Sequence, residues 1–126
     1  MAGKPKKVRL PTPIKRVEWI GSSKKDLLSF PDEVQHDIGF ALTVAQFGGT
    51  HDSAKPWKGL GPGVMEIVSN HDTNTYRSIY TVNIGNVIYV LHAFQKKSKS
   101  GIATPKEDIE VITVRHKRAV ELSKKR

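Results

Sequence analysis

The 126 residues contain no cysteine. That excludes a disulfide framework, a cysteine-ligated zinc centre and thiol catalysis. No apolar run approaches the ~18 residues a membrane-spanning helix needs. The N-terminus MAGKPKKVRLPTP is basic but has no apolar core, so it does not read as a secretory signal, and a cytoplasmic protein is expected. A phosphate-cradling loop is missing too: GLGPG lacks the GxGxxG spacing, and Pro62 blocks the turn into a helix. Neither HExxH nor GxSxG occurs. His36, His51, His71, His92 and His116 fall on different segments without ligand spacing, so no metal and no cofactor are expected.

What is present is positive charge, unevenly placed. The formal net charge is +9, from 21 Lys and Arg against 12 Asp and Glu. Residues 1–16 carry six cations and no acid, residues 17–95 five cations and eight acids, and residues 96–126 ten cations and four acids. A mildly acidic middle between basic ends points to a polyanionic partner: nucleic acid, the ribosome or an acidic protein. Basic tails also serve solubility alone.

The length suits one domain, and 37% hydrophobic residues suit a folded one. Residues 1–13, with three prolines and four cations, read as a flexible basic arm; residues 14–122 as a single domain; residues 123–126 as a basic tail. IKRVEWIG (14–21) fits a first strand. SSKKDLLSF fits a short helix capped by Ser22 or Ser23. After it, Pro31, Asp32 and Glu33 open a second helix, with Ser29 as a possible cap. Val34, Ile38, Ala41, Leu42 and Ala45 give that helix an apolar face, and Gly48-Gly49 ends it.

Residues 50–63 read as a loop. VMEIVS (64–69), TYRSIYTV (75–82) and VIYVLHAF (87–94) read as strands joined by the turns NHDTN and NIGN. The last strand is almost wholly apolar, so it is expected at the centre, covered on both faces. Thr104-Pro105-Lys106-Glu107 reads as a capping box that opens a final helix reaching about Leu122. The pattern predicts an α+β fold: a small antiparallel sheet with an N-terminal helical hairpin and a C-terminal helix, the helices on one face.

The candidate chemistry is cationic. Lys55 and Lys58 flank Trp57, Arg77 sits mid-strand, and Lys96, Lys97 and Lys99 follow the last strand. Strand ends in a meander converge over one face, and such a cluster suits phosphate oxygens, with Arg as a fork and Lys as a point charge. The plainer alternative is that Arg77 pairs with Glu66 on the neighbouring strand and the lysines are solvated. His92 reads either as a hydrogen-bonded core residue or as a general acid or base. Trp57 and Tyr76 read either as packing residues or as platforms for bases.

KPWKGLGPGVMEIV, YRSIYTV and VIYVLHAFQKKSKSGIATPKEDIE together resemble the phage-derived, HigB-like branch of the RelE/ParE toxin superfamily, a likeness running from about Val17 to Ala119. The resemblance implies a RelE-like fold and the toxin of a type II toxin–antitoxin pair. It further implies ribosome-dependent mRNA cleavage, an antitoxin of helix-turn-helix type as partner, and no membrane. It assigns Lys58 to the family's basic loop, Arg77 to the arginine holding the scissile phosphate, and Lys96 and Lys97 to the basic residues after the last strand. One departure stands out: no Tyr or His lies between Lys97 and His116, where the family places a tyrosine as candidate base. The ParE branch of the superfamily inhibits DNA gyrase without nuclease residues, so a non-catalytic binding toxin or a nuclease-dead member of the fold is the alternative.

Overall fold

The structure is a computed structural model and describes residues 14–96 and 104–125. In chain order the elements are β1 (Arg16–Trp19), α1 (Ser23–Leu28), α2 (Asp32–Gln46), β2 (Ala54–Pro56), β3 (Val64–His71), β4 (Asn74–Thr81), β5 (Val87–Lys96) and α3 (Lys106–Lys124). The strands form one sheet in the order β1-β5-β4-β3-β2. The class is α+β, with the expected helical hairpin and C-terminal helix. No helix among the described residues is long and apolar enough to cross a membrane.

The sheet is mixed rather than wholly antiparallel. β1 runs parallel to β5, with Arg16 opposite Val87 and Trp19 opposite Val90. A parallel pair needs a long connection, and everything from α1 to β4 supplies it. The stretch read as a loop contains β2, whose three residues pair with Met65, Glu66 and Ile67 of β3. Pro56 is tolerated there because β2 is an edge strand. β4 takes the middle of the sheet, and β5 lies beside it.

Helices cover both faces rather than one. Leu27 of α1 and Val34, Ile38, Ala41, Leu42 and Ala45 of α2 pack with Ile67, Tyr80, Ile88 and Val90. Ile112 and Ala119 of α3 pack with Ile79, Tyr89, Leu91 and Phe94 on the other face. A strand as apolar as β5 demands cover on both sides, and α3 supplies the second.

The helix ends refine the expected caps. α2 closes in a Schellman motif: Gly49 N–H bonds to Val44 C=O and Gly48 N–H to Ala45 C=O, with Gly48 at φ +88°. Its N-cap is Pro31, while Ser29 instead donates to Asp26 C=O. The N-cap of α3 is Pro105, one position later than a Thr104 capping box requires, and no side chain caps it.

A β-bulge in β5 decides what faces where. Ile79 of β4 stands opposite His92 and Tyr80 opposite Val90, so Leu91 is the extra residue. Before it, Ile88 and Val90 face α2; strict alternation would send His92, Phe94 and Lys96 the same way. The extra residue reverses the phase, and Leu91, His92 and Phe94 all lie on the α3 face. Arg115 Nη1 donates to the Leu91 carbonyl at 3.0 Å, giving that oxygen a partner at the irregularity.

Candidate functional site

Cross-strand register brings cations from three strands onto the α3 face, beside the N-terminal end of that helix. Lys55 lies opposite Glu66, Arg77 opposite Phe94 and Val68, and Lys96 opposite Thr75. Glu66 is the hub. Its Oε2 accepts from Arg77 Nη1 at 2.6 Å, and its Oε1 lies 3.7 Å from Lys55 Nζ. Glu66 is buried and the Arg77 side chain is 13% exposed, whereas that of Lys55 is 62% exposed. Arg77 Nε is buried and has no partner among the described residues. The plainer sequence alternative, an Arg77–Glu66 pair, is therefore realised.

Lys96 is 5% exposed and is the third cation of the group. Burial pulls its ammonium pKa below 10.5, as do the charges of Arg77 and Lys55, against an opposite pull from Glu66. Three cations against one carboxylate leave the face positive.

His92 is tied down by α3. Its Nε2 lies 2.7 Å from Asp108 Oδ1, and its ring stacks on Phe94 at a centroid distance of 4.8 Å and 18°. Nδ1 is buried without a partner among the described residues. A carboxylate at Nε2 favours the tautomer with its proton there, which leaves Nδ1 as an acceptor. Phe94 stands between His92 and Lys96 along this face.

The remaining candidates separate. Trp57 N–H bonds to Val64 C=O, and its ring packs on the α3-side core beside Leu60. Lys58 follows it, exposed. Tyr76 does not join the cluster. It faces α2, 6% exposed, with its ring 4.8 Å from that of Phe30. Lys97 and Lys99 lie outside the described residues. No group of histidines and carboxylates among the described residues could hold a metal.

Sequence reasoning missed Asp108. Sixteen residues separate it from His92, and its only local signal was a place in a helix's first turn. Glu66 was visible only as a possible partner for Arg77, not as the carboxylate that also meets Lys55.

Chain order, mixed sheet and flanking helices agree broadly with a RelE-like fold. The family model "Phage derived protein Gp49-like (DUF891)" matches residues 25–117. The chain belongs to this family, which is toxin-like, of the RelE/HigB type found in toxin–antitoxin systems. No curated protein and no solved structure matches the chain.

Proposed function

We propose that the chain is the toxin of a type II toxin–antitoxin pair, in the HigB-like branch, and that it cleaves mRNA on the ribosome. The observation that carries this reading is the convergence of Lys55, Arg77 and Lys96 from three strands around buried Glu66 on one sheet face. RNA brings its own nucleophile, the 2′-OH beside the scissile phosphate. The O2′–P bond forms as the P–O5′ bond breaks. One proton leaves the 2′-OH and another reaches the departing O5′, giving a 2′,3′-cyclic phosphate and a 5′-hydroxyl.

Each residue has a part. Arg77, aimed by Glu66, balances charge on the phosphorane with its remaining N–H groups. Lys55 and Lys58 hold the backbone on either side, with Trp57 as a wall. Lys97 and Lys99 continue the positive run. Lys96, whose ammonium releases its proton more readily than an ordinary lysine, protonates O5′. His92, whose Nδ1 is buried, stands behind these groups with Asp108 on its Nε2 and positions the strand end, and the 2′-OH proton leaves to solvent. The partner that restrains the toxin is an antitoxin of helix-turn-helix type.

Adding the protein to a translating extract and mapping new mRNA 5′ ends tests the reading. Ends within the ribosomal A site support it; mRNA that stays intact in the treated extract overturns it. One observation favours a non-catalytic binding toxin: the Arg77 guanidinium is already engaged by Glu66. Intact mRNA together with accumulating gyrase–DNA breaks would give that reading the site.

A further inference from the structure

The outward side of α3 carries exposed valine among its acidic residues, where a helix facing water is usually polar. Glu107, Glu110, Val111 and Val114 fall at i, i+3, i+4 and i+7, one helical stripe. With Arg115 they line an open groove of about 400 Å³. Val114 is 66% exposed. A second open groove, of about 610 Å³, is lined by Gly21, Lys24, Lys25, Leu28 and Ser29, with Leu28 57% exposed.

The two grooves share a wall. Arg115 lines the first, and its Nη2 donates to Ser22 Oγ at 3.0 Å beside the second. Its guanidinium lies so close to Gly21 that a Cβ there would sit 2.8 Å from Nε, and Gly21 also takes φ +57°. Arg115 thus joins the two grooves at the sheet edge. Lys24 and Lys25 stand at one end, Glu107 and Glu110 at the other, and Leu28, Val111 and Val114 form the floor. Among the described residues none of these four charged side chains forms an ion pair.

We propose that this face is where two copies of the chain meet about a two-fold axis. Lys24 and Lys25 of one copy would lie against Glu107 and Glu110 of the other. A two-fold interface must be self-complementary, because the same patch serves both partners. This patch carries opposite charge at its two ends, so a two-fold beside the Arg115 ridge sets each end of one copy against the opposite end of the other. A uniformly basic or uniformly acidic partner matches only one end. Exposed Val and Leu supply the water-excluding floor that charge alone lacks. The nuclease reading is not needed for this inference.

Sedimentation equilibrium of the purified full chain, over a wide concentration range, tests it. Wild type should show a reversible monomer–dimer equilibrium. Val114→Lys should weaken the dimer about tenfold or more, with circular dichroism and Tm unchanged because the side chain is exposed. Lys24→Glu with Lys25→Glu should weaken it as well. Adding Glu107→Lys and Glu110→Lys to that double variant should restore the dimer, since the swapped patch is again self-complementary. A wild type that stays monomeric throughout, or a dimer indifferent to Val114→Lys, overturns the proposal. Failure of the charge swap to restore overturns the two-fold arrangement. A monomeric wild type that binds a co-expressed partner, and loses it on Val114→Lys, assigns the face to that partner instead.

Discussion

Arg77 is held by Glu66, and that contact decides which substitution reports on it. Arg77→Ala removes the partner that lies 2.6 Å from a buried carboxylate. Breaking such a pair from one side costs about 3 kcal/mol or more, so a loss of growth inhibition in that variant would confound misfolding with function. Arg77→Lys keeps the charge and gives up the planar fork. We expect Arg77→Lys to stay folded by chemical denaturation and to lose most growth inhibition. A folded Arg77→Lys as toxic as wild type would remove Arg77 from the site. Lys96 offers a second residue-scale test. Its ammonium should titrate below 10.5 by NMR; Glu66→Gln should lower it further, because the Glu66 charge that raises it is lost. The unfolded chain holds that proton more tightly, so this group's contribution to stability rises with pH between its depressed pKa and 10.5 and is complete above it.

At the scale of elements, α3 is pinned to the sheet at its first turn by Asp108 and along its length by Arg115. Asp108→Ala strands a buried imidazole nitrogen, which costs about 1–3 kcal/mol. The expected result is a lower denaturation midpoint, with faster amide exchange concentrated in the first turn of α3. Exchange that speeds up evenly along the helix would show that the His92 contact pins nothing local. β1, β3, β4, β5, α2 and α3 were legible in the sequence because proline, glycine pairs and turn residues punctuate the chain between periodic apolar runs; β2 was not, because its three residues lie in a stretch that reads as a loop by composition. The bulge was not. One extra residue in a run as apolar as VIYVLHAF leaves no break in periodicity, yet it moves His92, Phe94 and Lys96 to the other face. The direction of β1 was hidden for a different reason: a four-residue strand carries no mark of parallel or antiparallel pairing, which depends on where a distant edge lies free.

Across the whole molecule, cations from distant parts of the chain converge while the acids stay largely elsewhere. The charge division was plain in the sequence, and so was the type of residue in the cluster. Which cations meet was not, because register sets it: Lys55, Arg77 and Lys96 share a face while Tyr76, adjacent to Arg77 in sequence, is turned into the opposite core. If the face holds RNA backbone, Lys55→Ala with Lys58→Ala should weaken ribosome association. It should also flatten the salt dependence by about one to two units of log K against log salt, since fewer phosphates are neutralised. Thermal stability should hardly change, because exposed charges contribute little to it. An unchanged salt slope would place the contact on another surface.

The most direct measurement uses synthetic mRNA loaded on ribosomes, with a single 2′-deoxy substitution at the mapped cleavage position. The 2′-OH is the nucleophile proposed for the Arg77, Lys96 and His92 face, so the substituted message should remain intact at that position. The unmodified one should yield a 2′,3′-cyclic phosphate and a 5′-hydroxyl. Cleavage that persists at the deoxy position, or products ending in 3′-hydroxyl and 5′-phosphate, would contradict it.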